Sequence, residues 1–130
     1  MTDFPDSHKD LLDAPVASIT TLGSDGYPQS TLTWFVHDDG ELRISLASSR
    51  LKTKNLSKRP QMSLLIIDYS NPQRFLEVRG DATLTPDPDF EFADKVGAKY
   101  GVDVRTFDPP GTSRVRVTID PKNVYAVDLS

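Results

Sequence analysis

Five of the twelve residues from Ser48 to Arg59, SSRLKTKNLSKR, are cationic in a chain whose formal net charge is −4. Between Glu41 and Asp68 lie 26 residues with no carboxylate and six cations, Arg43, Arg50, Lys52, Lys54, Lys58 and Arg59. Removing those six leaves 9 basic against 19 acidic residues elsewhere, a balance of −10. A face built only for solubility mixes both signs, so this segregation points to an electropositive patch meant for an anion. Arginine offers a planar fork for two oxygens and lysine a point charge, a division of labour suited to a phosphate or to a ligand bearing several anionic groups. The charges alone are satisfied equally by a solvated helix face, and the placement of the segment in the fold has to decide between the two.

Other chemistries lack their groups. The chain has no cysteine, which excludes disulfides, thiolate metal sites and a cysteine nucleophile. Its two histidines, His8 and His37, stand apart and supply no ligand set for a catalytic metal. No serine has a histidine and an acid behind it, and no carboxylate pair announces acid and base roles. Any redox chemistry is therefore borrowed from a cofactor. Trp34, the single tryptophan, alternates in a strand and reads as core or as a subunit interface. Glu77 and Arg79, two apart on one strand face, are expected to pair, and His37 is expected in an exposed turn.

The elements that must position the patch can be placed along 130 residues, read as a single domain over 1–130. Residues 1–14 form an N-terminal helical segment, amphipathic from 7 to 14 and anchored by Leu11 and Leu12. Strands are expected over Val16 to Leu22, Gln29 to Val36 and Glu41 to Ala47, with Asp-Gly turn signals in both connections, which suggests a three-strand meander. The basic segment is then a short helix capped by Ser48 or Ser49 and stopped by Pro60. Strands follow over Gln61 to Asp68 and Arg74 to Thr85. A helix from Pro88 carries a stripe of Phe92, Val96 and Tyr100 and ends at Gly101. After a proline-rich loop, whose stretch from Thr106 to Arg114 is a candidate cover for the substrate side of a binding cleft, come the strand RVRVTID and the short VYAVDL. Six or seven short antiparallel strands in meander order, with short helices at the barrel ends, suggest a small antiparallel barrel of mainly β, α+β fold class. The basic segment then sits where a strand leaves the sheet and begins a helix, where backbone N–H groups and the helix dipole reinforce the side chains.

The stretches DGYPQSTLTWF, ISLASSRLKTKNL, PQMSLLIID, FLEVRGDATLT and GTSRVRVTIDPKNVYAV together carry a resemblance. In order, from about Val16 to Val127, the chain resembles the pyridoxamine 5′-phosphate oxidase-like flavin-binding split barrels. Within them it is most similar to the actinobacterial branch that uses the deazaflavin coenzyme F420. The R-x-K-x-x-N-L core after a strand is the most specific element. The resemblance implies a homodimer with two cofactor clefts at the subunit interface, the phosphate or polyanionic tail on the basic segment, and the ring between subunits. It places Arg50, Lys52 and Lys54, with Ser48 beside them, on the phosphate and tail, and Asn55 at the first helical turn. Ser45, Leu46 and Ala47 would pass under the ring, and Gln29, Ser30 and Thr31 would reach its polar edge.

The activity so implied is an F420-dependent oxidoreductase that passes a hydride from the reduced deazaflavin to an electron-poor conjugated small-molecule substrate. Two alternatives stay open: an FMN enzyme of the pyridoxamine phosphate oxidase type, against which the number of cations argues, and a non-catalytic cofactor carrier. Nucleic acid is not expected as a partner, because the rest of the surface is acidic and offers no aromatic stacking platform. No apolar run approaches the ~20 residues that span a membrane, and the N-terminus has no apolar signal core, so a cytoplasmic location is expected.

Overall fold

A computed structural model describes residues 3–130. It contains seven strands: β1 (Ala17–Leu22), β2 (Pro28–Thr33), β3 (Val36–Asp38), β4 (Glu41–Ala47), β5 (Gln61–Asp68), β6 (Asn71–Pro86) and β7 (Arg114–Asp128). Two α-helices, α1 (Leu51–Lys58) and α2 (Glu91–Tyr100), interrupt them, together with 3₁₀ segments at Asp6–Asp13 and Val104–Thr106. Of the N-terminal segment expected over 1–14, Asp6–Asp13 is helical but wound as 3₁₀, with Leu11 and Leu12 buried, while residues 1 and 2 lie outside the described residues.

All seven strands belong to one antiparallel sheet in the order β2-β1-β5-β6-β7-β4-β3. The expected meander of the first three strands is therefore corrected. β1 and β2 do form a hairpin, but β4 pairs with β7 and never with β2. The strand expected from Gln29 to Val36 breaks at Trp34 and Phe35, and the chain passes there from one edge of the sheet to the other. Two opposite edges joined by two residues force the sheet to curl until they nearly meet, which makes a split barrel. The Asp39-Gly40 turn signal holds, with both residues at positive φ (52° and 77°) between β3 and β4.

The core follows from period-two alternation. Leu42, Ile44 and Leu46 of β4, Met62, Leu64 and Ile66 of β5, Leu76 and Val78 of β6, and Val117 and Ile119 of β7 point into one cluster. Leu56 of α1 joins them, so α1 plugs the barrel. The two terminal strand stretches expected separately are one strand, β7, which follows β6 over its whole length with a register shift at Arg79/Gly80. A Cβ at Gly80 would lie 2.1 Å from the Asp120 carbonyl oxygen, so glycine is required for the two strands to approach.

Helix α2 packs Phe92 and Val96 against Val36, with Tyr100 partly buried beside them. Its start is set by Asp87, whose buried carboxylate accepts from the backbone N–H of Phe92 (3.1 Å) and Ala93 (3.0 Å). Gly101 terminates it in the left-handed conformation (φ 69°) as expected. The last residues of α2 clasp the crossing between β2 and β3. Lys99 Nζ donates to the carbonyls of Phe35 (2.8 Å) and Ala14 (2.9 Å). The Tyr100 hydroxyl donates to the Pro15 carbonyl (2.7 Å) and accepts from the Phe35 N–H (3.2 Å).

Candidate functional site

β3 is only three residues long and covers β4 no further than Arg43. Beyond that point the edge of β4 faces β2 across a gap that no strand fills. Alternate residues of a strand direct their backbone groups to opposite sides, and the Ser48 N–H bonds the Ser113 carbonyl on the β7 side (2.9 Å). Ser45 and Ala47 therefore turn theirs toward the gap. The Ala47 carbonyl is taken by the Arg50 N–H (3.2 Å) and the Thr53 hydroxyl (2.7 Å), which fasten the start of α1 to the end of β4.

The gap opens into a cleft of about 270 Å³. Leu32 and Thr33 of β2 and Trp34 of the crossing form one wall, Ser45, Leu46 and Ala47 the floor, and Val104, Phe107, Asp108 and Arg114 the opposite wall. Arg50 and Lys52 also line it. Hollows of about 350, 360 and 470 Å³ lie elsewhere on the surface, but none of them brings the α1 cations to an open strand edge.

Lys52 is the most constrained of the cations. Its side chain is only 7% exposed, and Nζ donates to the Thr31 hydroxyl (3.0 Å). Burial pushes its ammonium below the usual lysine range, and the neighbouring Arg50 charge pushes the same way. None of Arg50, Lys52 and Lys54 meets a carboxylate within salt-bridge distance among the described residues. A half-desolvated ammonium beside a free guanidinium is an anion site waiting for its counter-charge. At the other wall the charges cancel. Arg114 donates to both oxygens of Asp108 (2.6 and 2.9 Å) and to the Ser45 hydroxyl (3.1 Å), and the guanidinium holds the Asp108 carboxyl below the usual carboxylate range.

The structure brings Ser45, Leu46, Ala47, Arg50 and Lys52 together in the cleft, with Thr31 bonded to Lys52. Gln29 lies on the same strand as Thr31 with its Oε1 buried and unpartnered. The rest are placed differently. Asn55 is buried and donates to the Thr21 hydroxyl (3.1 Å), tying α1 to β1 rather than facing the cleft. The Ser30 hydroxyl is bonded to that of Thr20 (2.7 Å) on the outer face of the hairpin. Lys54 is exposed outside the cleft lining, and the Ser48 hydroxyl accepts from that of Ser113 (2.9 Å). Neither Ser48 nor Ser49 caps α1: Arg50 holds the cap position without a side-chain bond, and the N–H groups of the first turn receive no capping side chain.

Sequence reasoning named the loop of one wall without its contacts and left Trp34, in the other, open between core and subunit interface. Trp34 is not core: it stacks on Tyr100 (4.2 Å between centroids, 9° between planes) and lines the cleft while 37% exposed. Val104, Phe107, Asp108 and Arg114 come from a loop and a strand start with no periodicity of their own; the proline-rich loop from Thr106 to Arg114 was expected beside the cleft, but not which of its side chains enter it. Glu77 and Arg79 pair as expected (3.1 Å), and His37 is exposed, though in β3 rather than a turn. Among the described residues no three potential metal ligands cluster, and no helix is long and apolar enough to cross a membrane.

Comparison with known proteins converges on this fold. The family model of pyridoxamine 5′-phosphate oxidase matches residues 4–128. A solved structure named F420 reductase is 31% identical, superposes with a TM-score of 0.82, and is covered over 98% of its chain by 94% of this one. A conserved hypothetical protein from Mycobacterium tuberculosis (23% identity, TM-score 0.79, 96% of this chain and 85% of that one) has the same fold. So does a putative pyridoxamine 5′-phosphate oxidase from Listeria innocua (24% identity, TM-score 0.72, 93% and 95%). No curated protein matches the sequence. With the matching residues running almost end to end, the chain belongs to the pyridoxamine 5′-phosphate oxidase-like split barrels, in the branch that includes the F420 reductase.

Proposed function

We propose that the protein is an oxidoreductase that holds the deazaflavin coenzyme F420 and serves hydride transfer from its reduced form to an electron-poor conjugated small molecule. The observation that carries this reading is the uncompensated pair of Arg50 and Lys52 lining a cleft on the open edge of β4. The similarity to an F420 reductase supports the deazaflavin over FMN, and so does the number of cations, since a single terminal phosphate leaves part of the set Arg50, Lys52, Lys54 and Lys58 idle. When bound, the reduced deazaflavin supplies a hydride; a carbon of the acceptor gains it, a second acceptor atom gains a proton, and the coenzyme leaves oxidised.

This chain's own residues bind, orient and exclude water. Lys52 and Arg50 neutralise the anionic part of the coenzyme, and Ser45 offers backbone groups at the open edge. Thr31 holds the Lys52 ammonium in place. The carboxylate in the cleft lining, Asp108, is bound on both oxygens by Arg114, which holds it below the usual carboxylate range and makes it a poor proton donor.

A homodimer belongs to the same proposal. The cleft, at about 270 Å³, is below the usual size of a small-molecule site, and enclosing a ring and an acceptor needs a further wall. Leu32, 74% exposed at its rim, is a surface a second copy would cover. Light scattering should give a mass near twice 14.4 kDa, and a mass of 14.4 kDa at micromolar concentration would overturn the dimer. Function is tested by titrating the protein with the deazaflavin and, separately, with FMN at two salt concentrations. Tight, salt-sensitive binding of the deazaflavin, followed by oxidation of its reduced form with a conjugated acceptor, is the expected result. Preference for FMN, with a yellow protein, would move the reading to a flavin enzyme, and tight binding without turnover of any acceptor would make the protein a carrier.

A further inference from the structure

Of the eight arginines in the chain, six have guanidinium groups that donate to a carboxylate, a carbonyl or a side-chain amide. The two with no such bond and no ion pair among the described residues are Arg50, in the cleft already described, and Arg116. Val117 and Ile119 of β7 point into the core, so Arg116 lies on the outer face of the sheet, opposite Ser45 of β4 and Thr85 of β6. Arg43 and Arg114 share that face, and both are held by carboxylates, those of Asp38, Glu41 and Asp108. Arg116 is half-buried, and its Nε is shielded from solvent with no acceptor. A guanidinium so placed is costly unless an anion answers it.

Arg116 lines a hollow of about 350 Å³ between β7 and the first turns of α2. This hollow shares no lining residue with the coenzyme cleft, and α2 gives Phe92 and Lys95 to the one and Val96 to the other. The charges around it sort its guest. Asp87 is committed to the N–H groups of Phe92 and Ala93, and Asp38 to Arg43 (2.9 Å) and more loosely to Lys95 (3.6 Å). Asp89 and Glu91, both exposed in the lining, have carboxylates in no ion pair among the described residues. A dianion would gain Arg116 but meet Asp89 and Glu91, and a plain cation would leave Arg116 unanswered. A molecule carrying one charge of each sign satisfies both. Pro86, Pro88 and Phe92 complete the lining with apolar surface.

We propose that the hollow between β7 and the start of α2 is a second binding site, for a free α-amino acid with an apolar side chain. Its carboxylate lies on the planar fork of Arg116, its ammonium on Glu91 and Asp89, and its side chain on the two prolines. The site does not depend on the coenzyme reading above.

The test titrates the coenzyme-free protein with L-leucine, by calorimetry and by chemical-shift changes. Three comparison ligands accompany it: L-leucinamide, which lacks the carboxylate, 4-methylpentanoate, which lacks the ammonium, and inorganic phosphate. L-leucine should bind, and each of the three should bind at least about tenfold more weakly. Arg116→Gln should weaken L-leucine about tenfold, with Arg116→Lys between, because lysine keeps the charge and loses the fork. Arg116 makes no hydrogen bond to the fold, so both variants should melt as the wild type does. Asp89→Asn with Glu91→Gln should weaken L-leucine and leave 4-methylpentanoate no weaker than before, and Arg50→Gln should change neither. No binding of L-leucine at about 10 mM would overturn the site, as would unaltered affinity in Arg116→Gln. Equal binding of 4-methylpentanoate or phosphate would reduce the hollow to a plain anion site and overturn the amino acid. A fall in light-scattering mass in Arg116→Gln, with no binding of L-leucine to the wild type, would overturn it by giving Arg116 to a carboxylate of a second copy. Failure of the deazaflavin to bind would sink the oxidoreductase reading and leave this result standing.

Discussion

Lys52 keeps an ammonium where water is scarce, and this gives one side chain two opposed effects. Between its lowered folded value and the ordinary lysine value, the folded protein binds fewer protons than the unfolded chain. The stability of the free protein therefore rises with pH across that window, and Lys99, lowered by burial as well, adds to the rise. Affinity for an anionic coenzyme runs the other way and falls as pH rises through the folded value, because the neutral amine no longer supplies a charge. Lys52→Met should raise the melting temperature of the free protein at pH 7, flatten the alkaline rise, and weaken coenzyme binding by about 1 to 3 kcal/mol. Lys54→Ala, at an exposed side chain, should cost distinctly less. Calorimetric titration and thermal melts at pH 7 and pH 10 check both; equal losses for the two variants would mean that burial of Lys52 plays no part in binding.

At the scale of elements, α2 supplies Val96 to the cleft and the clasp of Lys99 and Tyr100 to the strand crossing, and its register hangs on Asp87. Asp87→Ala leaves two backbone N–H groups without acceptors and should destabilise the protein by about 1 to 2 kcal/mol in denaturant unfolding. Asp87→Asn should recover much of that loss; if it does not, the carboxylate charge rather than the cap geometry matters. The sequence located elements well where their signals are local. β4 and β5 begin and end at the expected residues because alternation and turn chemistry are written into seven or eight consecutive positions. The pairing of β4 with β7 joins segments about 70 residues apart, and nothing in either segment names the other. The same holds for the site. Arg50 and Lys52 were legible as a charge cluster, whereas Phe107 and Asp108 enter the cleft only because Arg114 and Arg105 fold a loop back over it. Asn55 was legible as a polar helix residue, but only the neighbouring Thr21 shows that its amide is spent on packing.

For the molecule as a whole, the passage of the chain through Trp34 and Phe35 from one edge of the sheet to the other has a consequence in time. The β1–β2 hairpin and the β3–β4 turn are local and can form early, but the clasp joins Phe35 to Lys99 and Tyr100, across a separation of 65 residues for the Tyr100 bond. Loop-closure entropy makes such contacts late, and α2 must be in place before they exist at all. Tyr100→Phe removes the hydroxyl that serves Phe35 and Pro15, a loss that should appear almost wholly as faster unfolding, with the refolding rate nearly unchanged. Stopped-flow refolding and unfolding in urea would show it as a shift of one arm of the chevron. Slower refolding instead would place the seam in the folding nucleus. With refolding unchanged, the seam would shut last in building this barrel and part first on unfolding, beside the cleft where the coenzyme is proposed to sit. Bound coenzyme, resting on the open edge of β4, should act as a rivet on that seam and lengthen the life of the folded state.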